Sequence, residues 1–446
     1  MNVGSFLKIM EKNKKVIFLL DMDAFFASCH MAKDPSLRNK NVVVASPNRR
    51  AIVTTASYNA RKFGIRAGTP VFKALEMCKD LYIANSDFSL YIDYSEKVFD
   101  IIYNNFTKSF EVASIDECYI DMTKTWKKFG TVKNAAQAII DMIYKETGLT
   151  CSIGISTNKF LAKTCVDFNK PKGISFLLEE EIEEKLWPMK VEKMFMIGPA
   201  TQKILNQNNI STIRDLALHD LNFLIEILGK RGMTLWYWAN GKGNDEVTRE
   251  ASEFKSIGNE LTLNFTTTNH EEIEEIIYEL SLKIADRAKK RFLQGKTITI
   301  VVKYLDDNTS EFYNDKLRKK HITKQESVQE LTNDPEIIYS VAKQCFYELW
   351  TGQPILLLGV RISNLANQIE QTKQLSIDEI DLYEGIDYSE VEKVIYNLNL
   401  KFGKDKIFTG DKLLKYIEKN VVQSKFLKND DVHISNEQMI NKWKNK

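Results

Sequence analysis

The run Val16-Ile-Phe-Leu-Leu-Asp21 and the later run Ser114-Ile-Asp-Glu-Cys-Tyr-Ile-Asp121 together decide the fold. Val16–Leu20 is a short apolar stretch bounded by a charge, the pattern of a buried strand. The second run joins two strands, 110–114 and 117–122, through a tight connection at Ile115 and Asp116. Between the runs, Tyr91, Tyr94, Val98, Ile102 and Phe106 recur at helical spacing. Further on, Asn134 is placed to cap a helix whose apolar face is Ala136, Ile139, Ile140 and Ile143, with Gly148 just past its end. A strand at 150–155 follows, and Asn158 opens a helix that stops before Lys170-Pro-Lys-Gly173. The sum is an α+β arrangement, a ferredoxin-like βαββαβ unit interrupted after its first strand. In that topology the third strand runs antiparallel beside the first, so the end of one meets the start of the other. Asp21, Asp116 and Glu117 are thereby expected to converge at one sheet edge.

Three carboxylates at one edge form an all-oxygen ligand set of the kind magnesium takes alongside phosphates and water. Two such ions, ~3.5–4 Å apart, stabilise the attacking and leaving oxygens of an in-line phosphoryl displacement. A solvated cluster at strand ends is the plainer alternative. Mutual repulsion of three like charges without a cation weighs against it.

The chain has 446 residues, enough for three or more domains, with 43% apolar and 27% charged residues, ordinary for a globular protein. No stretch approaches the ~20 apolar residues of a membrane span, and no secretory leader is apparent, so a cytoplasmic protein is expected. The six cysteines form no C-x-x-C pair, which argues against a zinc site and a disulfide framework. Net charge is only +2, yet from Lys283 to Lys324 twelve Lys/Arg face five Asp/Glu. That local excess suits a nucleic-acid backbone or a solvated helix face. The insert, 25–86, holds strand-like 42–45 and 52–56, a short helix at 58–63 closed by Gly64, and a turn at Ala67-Gly-Thr-Pro70. A mostly helical stretch runs to about 247. Beyond it, strands are expected at 257–263, 297–304, 319–324 and 356–362, and helices at 271–291 and 335–350.

Four blocks carry a resemblance: Asp21-Met-Asp-Ala-Phe-Phe-Ala-Ser28, Thr55-Ala-Ser-Tyr-Asn-Ala-Arg-Lys-Phe-Gly64, Ser114–Asp121, and Gly154-Ile-Ser-Thr-Asn-Lys-Phe-Leu-Ala-Lys163. In order and spacing they resemble the Y-family (translesion) DNA polymerases, on the polymerase IV and UmuC-like branch, over about residues 16–366. The resemblance implies a right-hand polymerase. Its palm would be 1–24 and 87–177, its small fingers 25–86, its helical thumb 178–247 and its α/β little finger 248–366, followed by a tail from 367 to 446. It implies two Mg2+ ions held by Asp21, Asp116, Glu117 and the Met22 backbone carbonyl, with Glu117 completing the catalytic set. Thr55, Tyr58, Arg61 and Lys159 would contact the incoming deoxynucleotide (dNTP); Tyr58 and Arg61 lie three apart on one helical face. Phe26 takes the steric-gate position, where an aromatic ring excludes a ribose 2′ hydroxyl. Ile52 and Thr54 match positions that cover the nascent base pair, and their modest size implies a roomy, low-fidelity site without proofreading.

Primer-template DNA is the implied partner, gripped without base reading and with steep salt dependence. Ile197-Gly-Pro-Ala-Thr201 resembles a helix-hairpin-helix turn offering Gly198 and Ala200 to a DNA phosphate, although Pro199 removes one donor. Gln374-Leu375-Ser376-Ile377 resembles a sliding-clamp peptide, with Asp378 where an aromatic is usual and Leu382-Tyr383 as a shifted anchor. A monomer is expected. His30 departs from a frequent family glutamate. Two rivals share parts of this pattern: a nucleotide cyclase on the same palm topology, and a catalytically silent DNA-binding factor on a polymerase scaffold.

Overall fold

The structure, a computed structural model, describes residues 15–47, 50–248, 254–304 and 321–367. The chain divides into two compact units, parting between Ser252 and Glu253. In the first, chain order is β1 (Ile17–Met22), α1 (Phe25–Lys33), β2 (Asn41–Ala45), β3 (Val53–Ala56), α2 (Tyr58–Arg61), α3 (Val71–Met77), β4 (Leu81–Asn85), α4 (Phe88–Asn105), β5 (Phe110–Val112), β6 (Glu117–Asp121), α5 (Val132–Thr147), β7 (Cys151–Ser156), α6 (Lys159–Cys165) and β8 (Ile174–Phe176). Four helices follow: α7 (Pro199–Gln207), α8 (Ile213–Leu218), α9 (Leu221–Leu228) and α10 (Lys230–Ala239).

The main sheet has the order β5-β6-β1-β7-β8, with β1 antiparallel to both β6 and β7. Every residue of β1 is buried because both faces of the strand are covered. Phe18 and Leu20 join the large core under α4 and α5, while Leu19 on the other face meets Ala162 and Val166. The close approach of α6 to β7 depends on Gly154, where a Cβ would stand 2.1 Å from the Ala162 carbonyl oxygen. The interrupted βαββαβ unit is therefore present, with β8 added parallel to β7.

Three sequence expectations shift. Thr131, one turn ahead of Asn134, caps α5 by accepting the Asn134 N–H at 3.1 Å. The insert gains β4, parallel to β2, and helix α3, so it folds as a three-stranded sheet β3-β2-β4 with its own small core. β4 alternates poorly and only its Ala84 is fully buried, which hid it from pattern reading. In the second unit the strand expected at 319–324 lies partly outside the described residues, and the described part belongs to a strand that runs on from Ile322 to Thr332.

That unit consists of β9 (Ser256–Thr267), α11 (His270–Lys289), β10 (Leu293–Tyr304), β11 (Ile322–Thr332), α12 (Pro335–Leu349) and β12 (Ile355–Asn367). Its sheet order is β11-β10-β12-β9, all antiparallel. The apolar stripes of α11 (Ile273, Ile277, Leu280, Ile284) and α12 (Ile338, Ala342, Phe346) bury against Ile298, Ile300, Leu358 and Val360. Asn269 and Asp334 cap the two helices. No described helix is long and apolar enough to cross a membrane.

Candidate active site

The expected convergence of carboxylates follows from strand register. Asp21 near the end of β1 is the direct partner of Glu117 at the start of β6, and the Met22 N–H donates to the Asp116 carbonyl at 3.0 Å. The three acids expected from sequence are thus brought to one edge, with Met22 between them. Among the described residues no group of three or more acidic, histidine or cysteine side chains stands in metal-ligating geometry. Here the carboxylates are turned to a hydroxyl and two ammonium groups. Ser114 Oγ donates to Asp116 Oδ1 at 2.5 Å. Lys170 Nζ pairs with Asp21 Oδ1 at 2.8 Å. Lys163 Nζ pairs with Glu117 Oε1 and reaches Asp21 Oδ2 at 3.7 Å.

Charge compensation by these lysines is incomplete. Burial, followed by the hydrogen bond with Asp21, raises the Glu117 carboxyl above its ordinary range against the pull of Lys163. Burial likewise raises Asp116, opposed by the Ser114 hydrogen bond. Burial works against the charge of Lys170, yet Asp21 and Asp167 hold its ammonium above the usual range. An oxygen-only cluster, half-shielded from water and still short of positive charge, has the donor chemistry that a hard divalent cation fits.

The neighbourhood is fixed by a buried brace. Asp23 accepts from Ser152 Oγ at 2.8 Å and from the Lys172 N–H at 2.9 Å, which ties the Lys170–Gly173 loop to the sheet edge. Ala24 then turns the chain into α1 through a left-handed backbone (φ 46°), a conformation most non-glycine residues avoid. Phe26 follows in the first turn. Its ring stacks on Tyr91 with centroids 4.2 Å apart, and His30 Nε2 meets the Tyr91 hydroxyl at 2.9 Å. His30, unexplained by sequence, thus steadies the ring that backs Phe26.

From the insert, Ser57 caps α2 and orders Tyr58 and Arg61. The Arg61 guanidinium lies over the Tyr58 ring, 4.5 Å from its centroid, and Nε donates to the Ala56 carbonyl at 3.0 Å. Burial and then the charge of Asp23 raise the Tyr58 phenol against the pull of Arg61 and Lys170. Thr55 is half-buried on β3, paired with Val44. Ile52 and Thr54 are both exposed, two residues apart and so on one face, opposite the buried Val53. Lys159, in the first turn of α6, pairs with Glu111. Gly198 and Ala200 are exposed at the N-terminus of α7, separated by Pro199. Residues 374–378, 382 and 383 lie outside the described residues.

Sequence reasoning missed Lys163, Lys170, Glu111 and the Asp23 brace. A signal existed for Lys163, which is four residues beyond Lys159 and so on the same helical face. Lys170 was read only as part of a helix stop.

Residues 20–167 match the impB/mucB/samB family, and residues 254–377 match the C-terminal domain of that family. The chain is similar to DNA polymerase IV of Oceanobacillus iheyensis, 34% identical over 93% of each chain. It is also similar to DNA polymerase IV of Clostridium kluyveri, 36% identical over 90% of this chain and 98% of that one. A solved Y-family DNA polymerase chimera of Dbh and Dpo4 is 25% identical, covers 79% of this chain and 99% of its own, and aligns with a TM-score of 0.68. These relatives favour neither the cyclase nor the silent factor. Sheet topology, strand register and relatives agree, and the chain belongs to the Y family of DNA polymerases, on its polymerase IV branch.

Proposed function

We propose that this translesion polymerase adds deoxynucleotides to a primer 3′ end at the Asp21–Asp116–Glu117 edge, using two Mg2+ ions. The observation that carries the reading is the register pairing of Asp21 with Glu117, with Asp116 bonded through its backbone to Met22. Mg2+ at these residues would neutralise charge on the attacking and leaving oxygens. Asp21, Asp116 and the Met22 carbonyl would hold it, and Glu117 completes the ligand set. Tyr58 would donate its hydroxyl to the triphosphate, Arg61 would grip it through its guanidinium fork, and Lys159 would add a third contact; Thr55 completes this wall. Phe26, braced by Tyr91, would close the space beneath the sugar's 2′ carbon. Ile52 and Thr54 would cover the nascent pair loosely, which suits low fidelity on damaged template.

The division into palm (1–24 and 87–177), fingers (25–86), thumb (178–247), little finger (248–366) and tail (367–446) belongs to the same reading. So do a monomeric, cytoplasmic enzyme, phosphate contacts from Gly198 and Ala200, and clamp binding through residues 374–377. Extension of a labelled primer on intact and abasic templates, with Mg2+ and then with chelator, tests the activity. Chelator-sensitive synthesis past the lesion is the expected result. Synthesis that persists in chelator overturns the metal assignment.

A further inference from the structure

Glu111 at the centre of β5 holds two groups with one carboxylate. Its Oε2 accepts the Lys159 ammonium and also the backbone N–H of Thr248, the latter at 3.0 Å. Thr248 lies on a strap that includes residues 241–248, returns from the helical group and is tied back along α6. Asn158 Nδ2 donates to the Gly241 carbonyl at 2.9 Å, the Lys159 N–H donates to the Asn244 carbonyl at 2.9 Å, and Lys15 Nζ donates to the Asp245 carbonyl at 3.0 Å. Thr248 of the strap and the lysine assigned to the triphosphate therefore share one acceptor. The pair is largely shielded from water, with side-chain exposures of 16% for Lys159 and 25% for Glu111, so its attraction is screened less than that of a surface pair.

We propose that Glu111 is a positioning residue for nucleotide binding, holding Lys159 back against the 241–248 strap until an incoming triphosphate takes its ammonium. This rests on the assignment of Lys159 to the triphosphate. A carboxylate beside a polyanion opposes binding, and an ammonium already paired must leave its partner to reach phosphate. By linkage, the nucleotide is bound less tightly than the same site would bind it with Glu111 uncharged.

Charge and tether can be separated. Glu111→Gln removes the charge that holds Lys159 and keeps an oxygen for the Thr248 N–H; Glu111→Ala removes both. Single-turnover incorporation at varied dNTP concentration, on the full chain with primer-template, gives Kd and the maximal rate separately. Glu111→Gln is expected to lower the dNTP Kd by about five-fold or more, with the change falling on Kd more than on the rate. In a Lys159→Ala background the same substitution should lower Kd far less, by only what direct repulsion of the triphosphate contributes. Hydrogen exchange should show the Thr248 amide still protected in Glu111→Gln and unprotected in Glu111→Ala. If Lys159→Ala weakens dNTP binding while Glu111→Gln leaves it unchanged or weaker, the holding role is overturned and the triphosphate assignment survives. If Lys159→Ala leaves dNTP binding unchanged, both fall.

Discussion

In the proposed reading, discrimination between sugars falls to a single side chain, Phe26. The Phe26 ring is held on one side by a stacked Tyr91, whose hydroxyl in turn meets His30 Nε2 and accepts the Asp87 N–H at 3.1 Å. Removing the ring opens room for a 2′ hydroxyl and leaves the carboxylate edge intact. Phe26→Ala should therefore raise ribonucleotide incorporation relative to deoxynucleotide by at least about ten-fold, since steric exclusion in a packed pocket is worth that much. Paired kcat/KM values for a dNTP and its ribose counterpart check this; an unchanged ratio removes the gate assignment. His30 and Tyr91 were not legible as a pair because they come from two helices, α1 and α4, with β2, β3 and β4 between them in the chain.

Helix α6 carries Lys159 and Lys163 on one face, and its seat against β7 sets where both ammonium groups lie. Gly154 permits that seat: a methyl there would meet the Ala162 carbonyl oxygen at 2.1 Å and the Val166 nitrogen at 2.8 Å, both backbone atoms that cannot rotate away. Gly154→Ala should cost about 1–3 kcal/mol or more, as overpacking does. It should also weaken nucleotide binding through displaced lysines. Denaturant unfolding together with dNTP Kd checks the pair of effects, and a stable variant with normal affinity contradicts this role. In the second unit, Glu274 on α11 accepts from Lys343 Nζ at 2.7 Å and Tyr347 Oη at 2.7 Å, both on α12. The Lys343 and Tyr347 hydrogen bonds hold its carboxyl below the ordinary range. A depressed carboxyl stabilises the fold at neutral pH and loses that contribution as pH falls below about 4, toward the folded value. Glu274→Gln should flatten this acid-side loss in a pH series of unfolding midpoints; an unchanged acid limb would contradict it. The elements behind these effects were mostly readable from sequence. Strong periodicity in α4 and α5 and the apolar β1 gave the interrupted βαββαβ unit and its acidic edge. β4 and α3 were not readable, because a small three-stranded insert buries few residues and leaves little pattern. Lys170 reaches Asp21 only through the loop that Asp23 anchors, a tertiary contact without a local signature.

For the molecule as a whole, charge distribution matters more than net charge. Twelve Lys/Arg against five Asp/Glu over 283–324 sit in a chain of net charge +2. Binding of primer-template through such a stretch releases counterions, so log K should fall with log salt at a slope of roughly −4 or steeper, the value for about five neutralised phosphates. A shallow slope in a salt titration would remove this stretch from the DNA grip. The central claim is nearer the chemistry: the register that sets Asp21 against Glu117 makes a cation-binding edge on which synthesis depends. Its most direct test is single-turnover extension of a matched primer by the full chain and by Asp116→Ala, with Mg2+ and dNTP saturating. The account predicts a rate loss of about a thousand-fold or more with the fold intact, the scale of removing one member of a catalytic set. Extension by Asp116→Ala within a few-fold of the unaltered chain would contradict it.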